Sequence, residues 1–74
     1  MEEDGQRIPV ISSNLCSVGY DRNALNLEIE FISGAVYRYF NVPENIYLEL
    51  MNANSHGQYF HQNIRYVYQC ERVR

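Results

Sequence analysis

The sequence predicts a small α+β domain, in which an antiparallel three-stranded sheet is followed by two helices packed on one face. Apolar and polar residues alternate between Leu25 and Phe31, which predicts a strand, and a second alternating segment follows Gly34. Two segments with apolar residues at helical spacing come after Pro43. Strands that precede helices in this way are typical of an α+β fold. A chain of 74 residues forms one domain with a small core.

The first strand spans residues 15–20, and the polar segment 21–23 forms the turn that leads into the second. After the second strand, a three-residue loop places Gly34 in the left-handed conformation, whereas a two-residue loop would force Ser33 into it. The three-residue loop predicts the cross-strand pairs Leu27 with Tyr39, Glu28 with Arg38, Ile29 with Tyr37, and Phe31 with Ala35. Both tyrosines then face the core. The two-residue alternative would set them against Glu30 and Glu28 and would place charge in the core.

Pro43 suits the first position of a helix, whose inner face carries Ile46, Leu50 and Ala53, with Tyr47 and Met51 beside it. This helix ends near residues 52–54. Ser55 caps a second helix, and Gln58 completes a capping box. The inner stripe of the second helix is Phe60, Ile64 and Val67. From Cys70 onward the chain either forms a further strand or frays.

We expect residues 1–9 to form a flexible acidic arm and residues 10–74 to form the single domain. The net charge of −3 argues against a diffuse electrostatic grip on nucleic acid. The charge is uneven, however, since residues 51–74 hold three arginines and one glutamate, a net +2. No segment has the pattern of a secretory signal or a membrane span, so we expect a cytoplasmic protein. Cys16 and Cys70 fit no metal spacing and are expected to be free thiols, with a disulfide between them as the alternative.

Several motifs follow one another in the order that is characteristic of a known family. They are Ser12-Ser13-Asn14, Gly19-Tyr20-Asp21, Val36-Tyr37-Arg38-Tyr39, Val42-Pro43, Ser55-His56-Gly57 and Ile64-Arg65. With these motifs, about residues 10–73 resemble the KTSC domain, which is found at the C-terminus of some lysyl-tRNA synthetases and as a stand-alone protein of bacteria and phages. The resemblance implies a small domain for which the synthetase context suggests RNA binding. It brings no catalytic residues.

The candidate RNA-binding residues are the aromatic and basic groups of the C-terminal third: Tyr59, His61, Arg65, Tyr66, Tyr68, Arg72 and Arg74. For Tyr37 and Tyr39, base stacking and core packing are both open, and the strand register favours the core. The alternative function is an acidic protein-binding adaptor that docks on a nucleic-acid enzyme. Its candidate surface is the sheet face away from the helices, with Glu28, Glu30, Val36, Arg38 and Phe40.

The sequence gives no reason to expect an enzyme, a cofactor or a metal site. His56 and His61 lie five residues apart, so on one helix they diverge and do not share a metal ion. A cysteine–histidine nucleophile pair would need a third group to orient the imidazole, and none is identified. We therefore expect an interaction module, with RNA or a protein as its partner.

Overall fold

A computed structural model of the chain describes residues 7–74 as a five-stranded antiparallel sheet with two helices. The elements are β1 (Ile8–Pro9), β2 (Leu15–Asp21), β3 (Asn26–Phe31), β4 (Val36–Tyr39), α1 (Glu44–Asn52), α2 (His56–Asn63) and β5 (Cys70–Arg72). The strands lie in sequence order, from β1 at one edge to β5 at the other. The predicted α+β class is confirmed. The predicted count of three strands is wrong, because short strands at both edges extend the sheet.

The two added strands are short. Strand β1, which was not predicted, has two residues. Strand β5, one of the two alternatives left open from Cys70 onward, has three exposed residues with no alternation of apolar and polar side chains. Strand β1 pairs with β2 and therefore takes up the end of the segment expected to be a flexible arm. The rest of that segment, residues 1–6, lies outside the described residues.

The hairpin of β3 and β4 has the predicted register, with Leu27 opposite Tyr39 and Ile29 opposite Tyr37. Phe31 N donates to Ala35 O over 2.9 Å, and Gly34 has φ +100°, so the three-residue loop is confirmed. This φ is the reason for glycine in the loop, since other residues are strained there.

The hairpin of β2 and β3 turns where predicted, because Asp21 Oδ1 accepts from the backbone N–H groups of Asn23 and Ala24. Leu25 departs from the prediction. It has φ 59° and is 38% exposed, and β3 begins only at Asn26. The turn takes Leu25 out of the alternating strand, so the predicted start of the strand at Leu25 is wrong.

Both helices pack on one face of the sheet. The ring of Tyr47 from α1 stacks on Tyr20 of β2 at 4.9 Å, and Phe60 of α2 meets Tyr39 of β4 edge-on. The fully buried side chains between the layers include Leu27, Ile29, Leu50 and Ile64. Burial of these apolar groups is the main source of stability in a domain of this size.

The helix ends show how the two helices are joined. Pro43 is the N-cap of α1 and not its first helical residue, and α1 ends at Asn52, as expected. His56 Nδ1 lies 2.8 Å from Leu50 O, so the first residue of α2 holds the end of α1. Ser55 Oγ accepts from Gln58 N over 3.1 Å, which confirms the predicted cap.

Helix α2 is shorter than predicted. It ends at Asn63, Ile64 is its C-cap, and turns carry the chain to β5. Ile64 is buried as predicted, but Val67 is 60% exposed and does not belong to an inner stripe. Between residues 7 and 74, no helix has the length and hydropathy that crossing a bilayer requires.

Candidate functional site

An open groove of about 630 Å³ lies on the helix side of the sheet, between β4, α2 and the turns that follow α2. Its volume is within the range of small-ligand sites, roughly 300–1,000 Å³. Six of the eleven side chains that line it are aromatic: Phe31, Tyr37, Tyr39, Phe60, Tyr66 and Tyr68. Such a surface suits a flat ligand.

The floor of the groove is also part of the hydrophobic core. Tyr39 is 4% exposed, and its ring lies 5.6 Å from that of Phe60 in an edge-to-face contact. Phe31 makes further edge contacts with Phe60 and Tyr37, at 5.5 and 5.9 Å. Burial raises the pKa of the Tyr39 phenol to about 12. Tyr39 is therefore a core residue, as the register predicted, and Tyr37 is half-buried in the groove wall.

The polar side chains of the groove are Asn14, His61, Arg65, Gln69 and Cys70. Among residues 7–74, no aspartate or glutamate lines it, although the chain has nine acidic residues and a net charge of −3. Within residues 7–74, Arg65 forms no ion pair with a carboxylate. Its guanidinium carbon lies 4.9 Å from the centroid of the Tyr66 ring, a cation–π contact. Arg65 keeps its charge available to an anionic ligand.

Two motifs that are distant in the sequence meet at one wall of the groove. Asn14 lines the groove and accepts a hydrogen bond from Ser12 Oγ over 3.3 Å. A Cβ atom at Gly57 would lie 2.5 Å from Asn14 Oδ1, so only glycine allows this approach. The Ser12–Asn14 loop and the start of α2 are thus packed together, and they fix the position of Asn14.

The turns after α2 form the mouth of the groove. Arg65 N donates to Phe60 O, and Tyr68 N donates to Ile64 O, which closes the chain tightly behind the helix. Tyr66 has φ 67° and is 84% exposed. These turns bring the backbone round so that Tyr66, Tyr68 and Gln69 line one groove with Arg65.

The structure divides the predicted RNA-binding residues into two sets. Four of them line the groove: His61, Arg65, Tyr66 and Tyr68. Their aromatic and basic character is the basis of the prediction. Three predicted residues do not line it: Tyr59, Arg72 and Arg74. Tyr59 donates to Glu49 Oε1 over 2.6 Å, Arg72 lies opposite Tyr37 on the edge strand, and Arg74 pairs with Glu30 on the other sheet face.

Three groove residues were not predicted from the sequence to bind a ligand: Asn14, Gln69 and Cys70. Asn14 stands within one of the ordered motifs, so its position there was the signal. Gln69 and Cys70 carry no such signal, because only the path of the chain after α2 brings them to the groove.

The face away from the helices carries charges that satisfy one another. Glu28 accepts from Arg7 at 2.8 Å and from Arg38 at 2.7 Å, and Arg38 also approaches Glu71 at 3.6 Å. Ser17 Oγ donates to Glu30 over 2.7 Å. This hydrogen bond is the main cause that lowers the pKa of Glu30. We call this set the charged network; it includes Arg7, Ser17, Glu28, Glu30, Arg38, Glu71 and Arg74.

Val36 was expected to be part of an exposed apolar patch on this face, and that expectation is wrong, since the residue is 2% exposed. Val73 N and Arg74 N both donate to Val36 O, and the Arg74 side chain reaches Glu30, the cross-strand neighbour of Val36. The end of the chain therefore lies against Val36. Phe40 is half-buried.

No group of three or more metal-ligating side chains occurs within residues 7–74. His56 contacts the end of α1, and His61 is exposed at the groove. Cys16 is half-buried and Cys70 is exposed, and both are free thiols. Within the described residues, the groove offers aromatic surface, the cation of Arg65 and several hydrogen-bonding side chains, which suit binding.

Comparisons with known proteins agree with one another. The family model of the KTSC domain matches residues 11–68. A crystal structure of a KTSC domain protein from Yersinia pestis superposes with a TM-score of 0.91 and 38% identity, over 93% of this chain and 97% of that one.

Relatives are of two kinds. An uncharacterised protein of Stutzerimonas stutzeri is 46% identical over 57 residues, which are 77% of this chain and 80% of that protein. A lysine–tRNA ligase of Trichormus variabilis is 44% identical over 54 residues, 73% of this chain. The match spans only 10% of the ligase.

Proposed function

The chain belongs to the KTSC domain family, and on that premise we propose that it is a non-catalytic module that binds unpaired RNA in the aromatic groove. One observation carries the proposal: in an acidic chain, the groove formed by the described residues, 7–74, has no carboxylate, is rich in aromatic rings and contains an arginine that forms an ion pair with none of them. Proteins bind single-stranded RNA by stacking bases on aromatic rings beside cationic groups.

The relatives support RNA as the partner. A lysine–tRNA ligase acts on a tRNA, and a segment of it is similar to residues of this chain. Because that segment is about a tenth of the ligase, aminoacylation is not transferred to this protein. We propose an unpaired loop or end of a structured RNA as the ligand.

Stacking, rather than charge, would supply most of the affinity. A base stacked on an aromatic side chain contributes about 1–3 kcal/mol, whereas a net charge of −3 opposes the approach of RNA. Arg65 is the one arginine that lines the groove. A single phosphate contact gives a salt slope of about −0.7 for a single strand, so binding should weaken only gradually with salt.

The test compares two arginines that carry the same charge. Parent protein, Arg65→Gln and Arg72→Gln are titrated into a short, fluorescently labelled single-stranded RNA of mixed sequence, and anisotropy gives each affinity. Both arginines are exposed, so both variants should fold, which circular dichroism checks. We expect Arg65→Gln to weaken binding and lower the salt slope, and Arg72→Gln to bind like the parent.

Equal losses in the two variants would show that net charge, and not the groove, holds the RNA. A folded parent that binds no RNA at low salt would reject RNA binding and leave docking on a protein as the function. On the sheet face that is the alternative docking surface, the charged network pairs most of the charges with one another. This supports RNA over a protein as the partner.

We propose that the protein is cytoplasmic, because RNA and its enzymes reside in the cytoplasm and free thiols persist there.

A further inference from the structure

Tyr66 is the third residue of the turn in which Val67 N donates to Ile64 O, a position where a positive φ is usually taken by glycine. It has φ 67°, in the left-handed region that residues with a side chain avoid, because Cβ approaches the following carbonyl oxygen. Such strain is tolerated where the rest of the structure or a function maintains it, and it is frequent at binding sites.

Burial of apolar side-chain area often offsets backbone strain, but the Tyr66 side chain is too exposed to provide it. With 84% of its surface exposed, the side chain buries little apolar area and adds little to folding. Asn41 has a similar φ of 59°, but asparagine tolerates that conformation. Leu25 shares the strain at φ 59° but is only 38% exposed and lies in the β2–β3 turn, outside the groove.

The position of the Tyr66 ring points to a ligand. The ring lines the groove, and the Arg65 guanidinium covers one of its faces at 4.9 Å. The high exposure of the residue leaves the other face open. A ring with a cation on one side and an open face on the other can stack on a base while the cation approaches the adjoining phosphate.

From these observations we infer that Tyr66 is a ligand-contacting residue, held in a strained backbone conformation so that its ring stacks on one unpaired base at the mouth of the groove. The inference rests on the proposed function and specifies it: the ligand class is an unpaired nucleotide whose base stacks on Tyr66 and whose phosphate meets Arg65. Paired RNA does not offer its base faces, so a duplex of the same sequence should bind poorly.

The experiment separates the ring from the strain. Tyr66→Gly removes the ring and also relieves the strain, because glycine adopts positive φ freely. Tyr66→Phe keeps the ring. Leu25→Gly relieves the same strain outside the groove and serves as the matched control. Each variant is melted thermally and titrated into the labelled single-stranded RNA and into its duplex.

We expect Tyr66→Gly to melt at the parent's temperature or above and to bind the single strand about tenfold more weakly, as the loss of one stack requires. Tyr66→Phe and Leu25→Gly should bind like the parent, and the duplex should bind each protein weakly. A lower melting temperature of Tyr66→Gly would show that the ring supports the fold, and this would overturn the inference.

Two binding outcomes distinguish the inference from the proposed function. If the parent binds the single strand and Tyr66→Gly binds it equally well, the role of Tyr66 is overturned while RNA binding stands. If the parent binds neither RNA, both are overturned. Stronger binding of the duplex than of the single strand would refute the unpaired-base ligand and keep RNA as the partner.

Discussion

The two faces of the sheet use their polar groups in opposite ways. On the helix side, the described part of the chain forms a groove with six aromatic side chains, one arginine that has no ion pair within residues 7–74, and no carboxylate. On the other side, the charged network pairs arginine with glutamate across the sheet, with Glu28 between Arg7 and Arg38. Charges that are satisfied within the fold contribute little to a ligand, so the first face is suited to binding and the second to holding strands together.

On each face, a glycine permits a close contact that a Cβ atom would prevent. Gly57 allows Asn14 to approach the start of α2, and Gly19 allows Arg7 to lie across β2, where a Cβ atom would be 2.8 Å from Arg7 Cγ. The first contact shapes the groove and the second attaches β1 to the network. The two faces can therefore be perturbed separately, which the following four predictions use.

The largest effect is expected at the groove floor. Tyr39→Ala removes a ring that is 4% exposed and packed on Phe60, and should destabilise the fold by roughly 3–5 kcal/mol. In a domain this small the variant should be largely unfolded, which circular dichroism and urea titration will show. A Tyr39→Ala protein that keeps the parent's stability would contradict the view that the groove floor is core.

Gly57→Ala and Gly19→Ala compare the two close contacts. Gly57→Ala should destabilise by roughly 1–3 kcal/mol, the usual range for overpacking, because Asn14 is held in its loop by Ser12. Gly19→Ala should have a smaller effect, since the flexible Arg7 side chain can move aside. Urea unfolding of both variants measures the difference, and a larger loss for Gly19→Ala would reverse our ranking of the two contacts.

Glu28→Gln tests the charged network against an exposed pair. The Glu28 side chain is 12% exposed and accepts from two arginines, so its neutralisation should cost about 1.5 kcal/mol. Glu44→Gln makes the same chemical change in an exposed pair with Arg22 and should cost less than about 1 kcal/mol. RNA binding should remain in both variants. Equal, small losses would mean that the network adds no more than surface ion pairs.

The last effect is absent at neutral pH and is confined to alkaline solution. Burial raises the pKa of Tyr39 to about 12, above the ordinary 10.0 that it regains on unfolding. Below pH 10 the phenol is neutral in both states, and between about 10 and 12 only the unfolded state loses its proton, so stability falls with rising pH there. Tyr39→Phe should reduce this fall.

Tyr59 lies outside the groove and allows a comparison with Tyr39. Burial and a hydrogen bond to Glu49 raise the pKa of the Tyr59 phenol to about 12 as well. Tyr59→Phe should likewise reduce the alkaline loss, and the double variant should reduce it further. Urea unfolding of the parent and the three variants across this pH range checks both. A Tyr39→Phe protein with an unchanged alkaline loss would show that the phenol ionises normally in the folded state.

Local chemistry made much of the sheet and helix arrangement predictable. The β3–β4 register follows from one glycine and from the pairing of Glu28 with Arg38, and it placed Tyr39 in the core correctly. The Ser55 cap is predictable because its hydroxyl accepts from the backbone N–H of Gln58, only three residues later in the sequence. These interactions join residues that are close in sequence, so the sequence alone expresses them.

The edges and the candidate site were decided by tertiary structure. Strand β5 forms because β4 offers it an open edge, and its three residues have no strand pattern of their own. The same chain path brings Arg65 to the groove, sends Arg74 to the opposite face and buries Val36. Composition could identify aromatic and basic residues in the C-terminal third. It could not assign them to faces, because a residue's face depends on where α2 ends and on which strand then receives the chain.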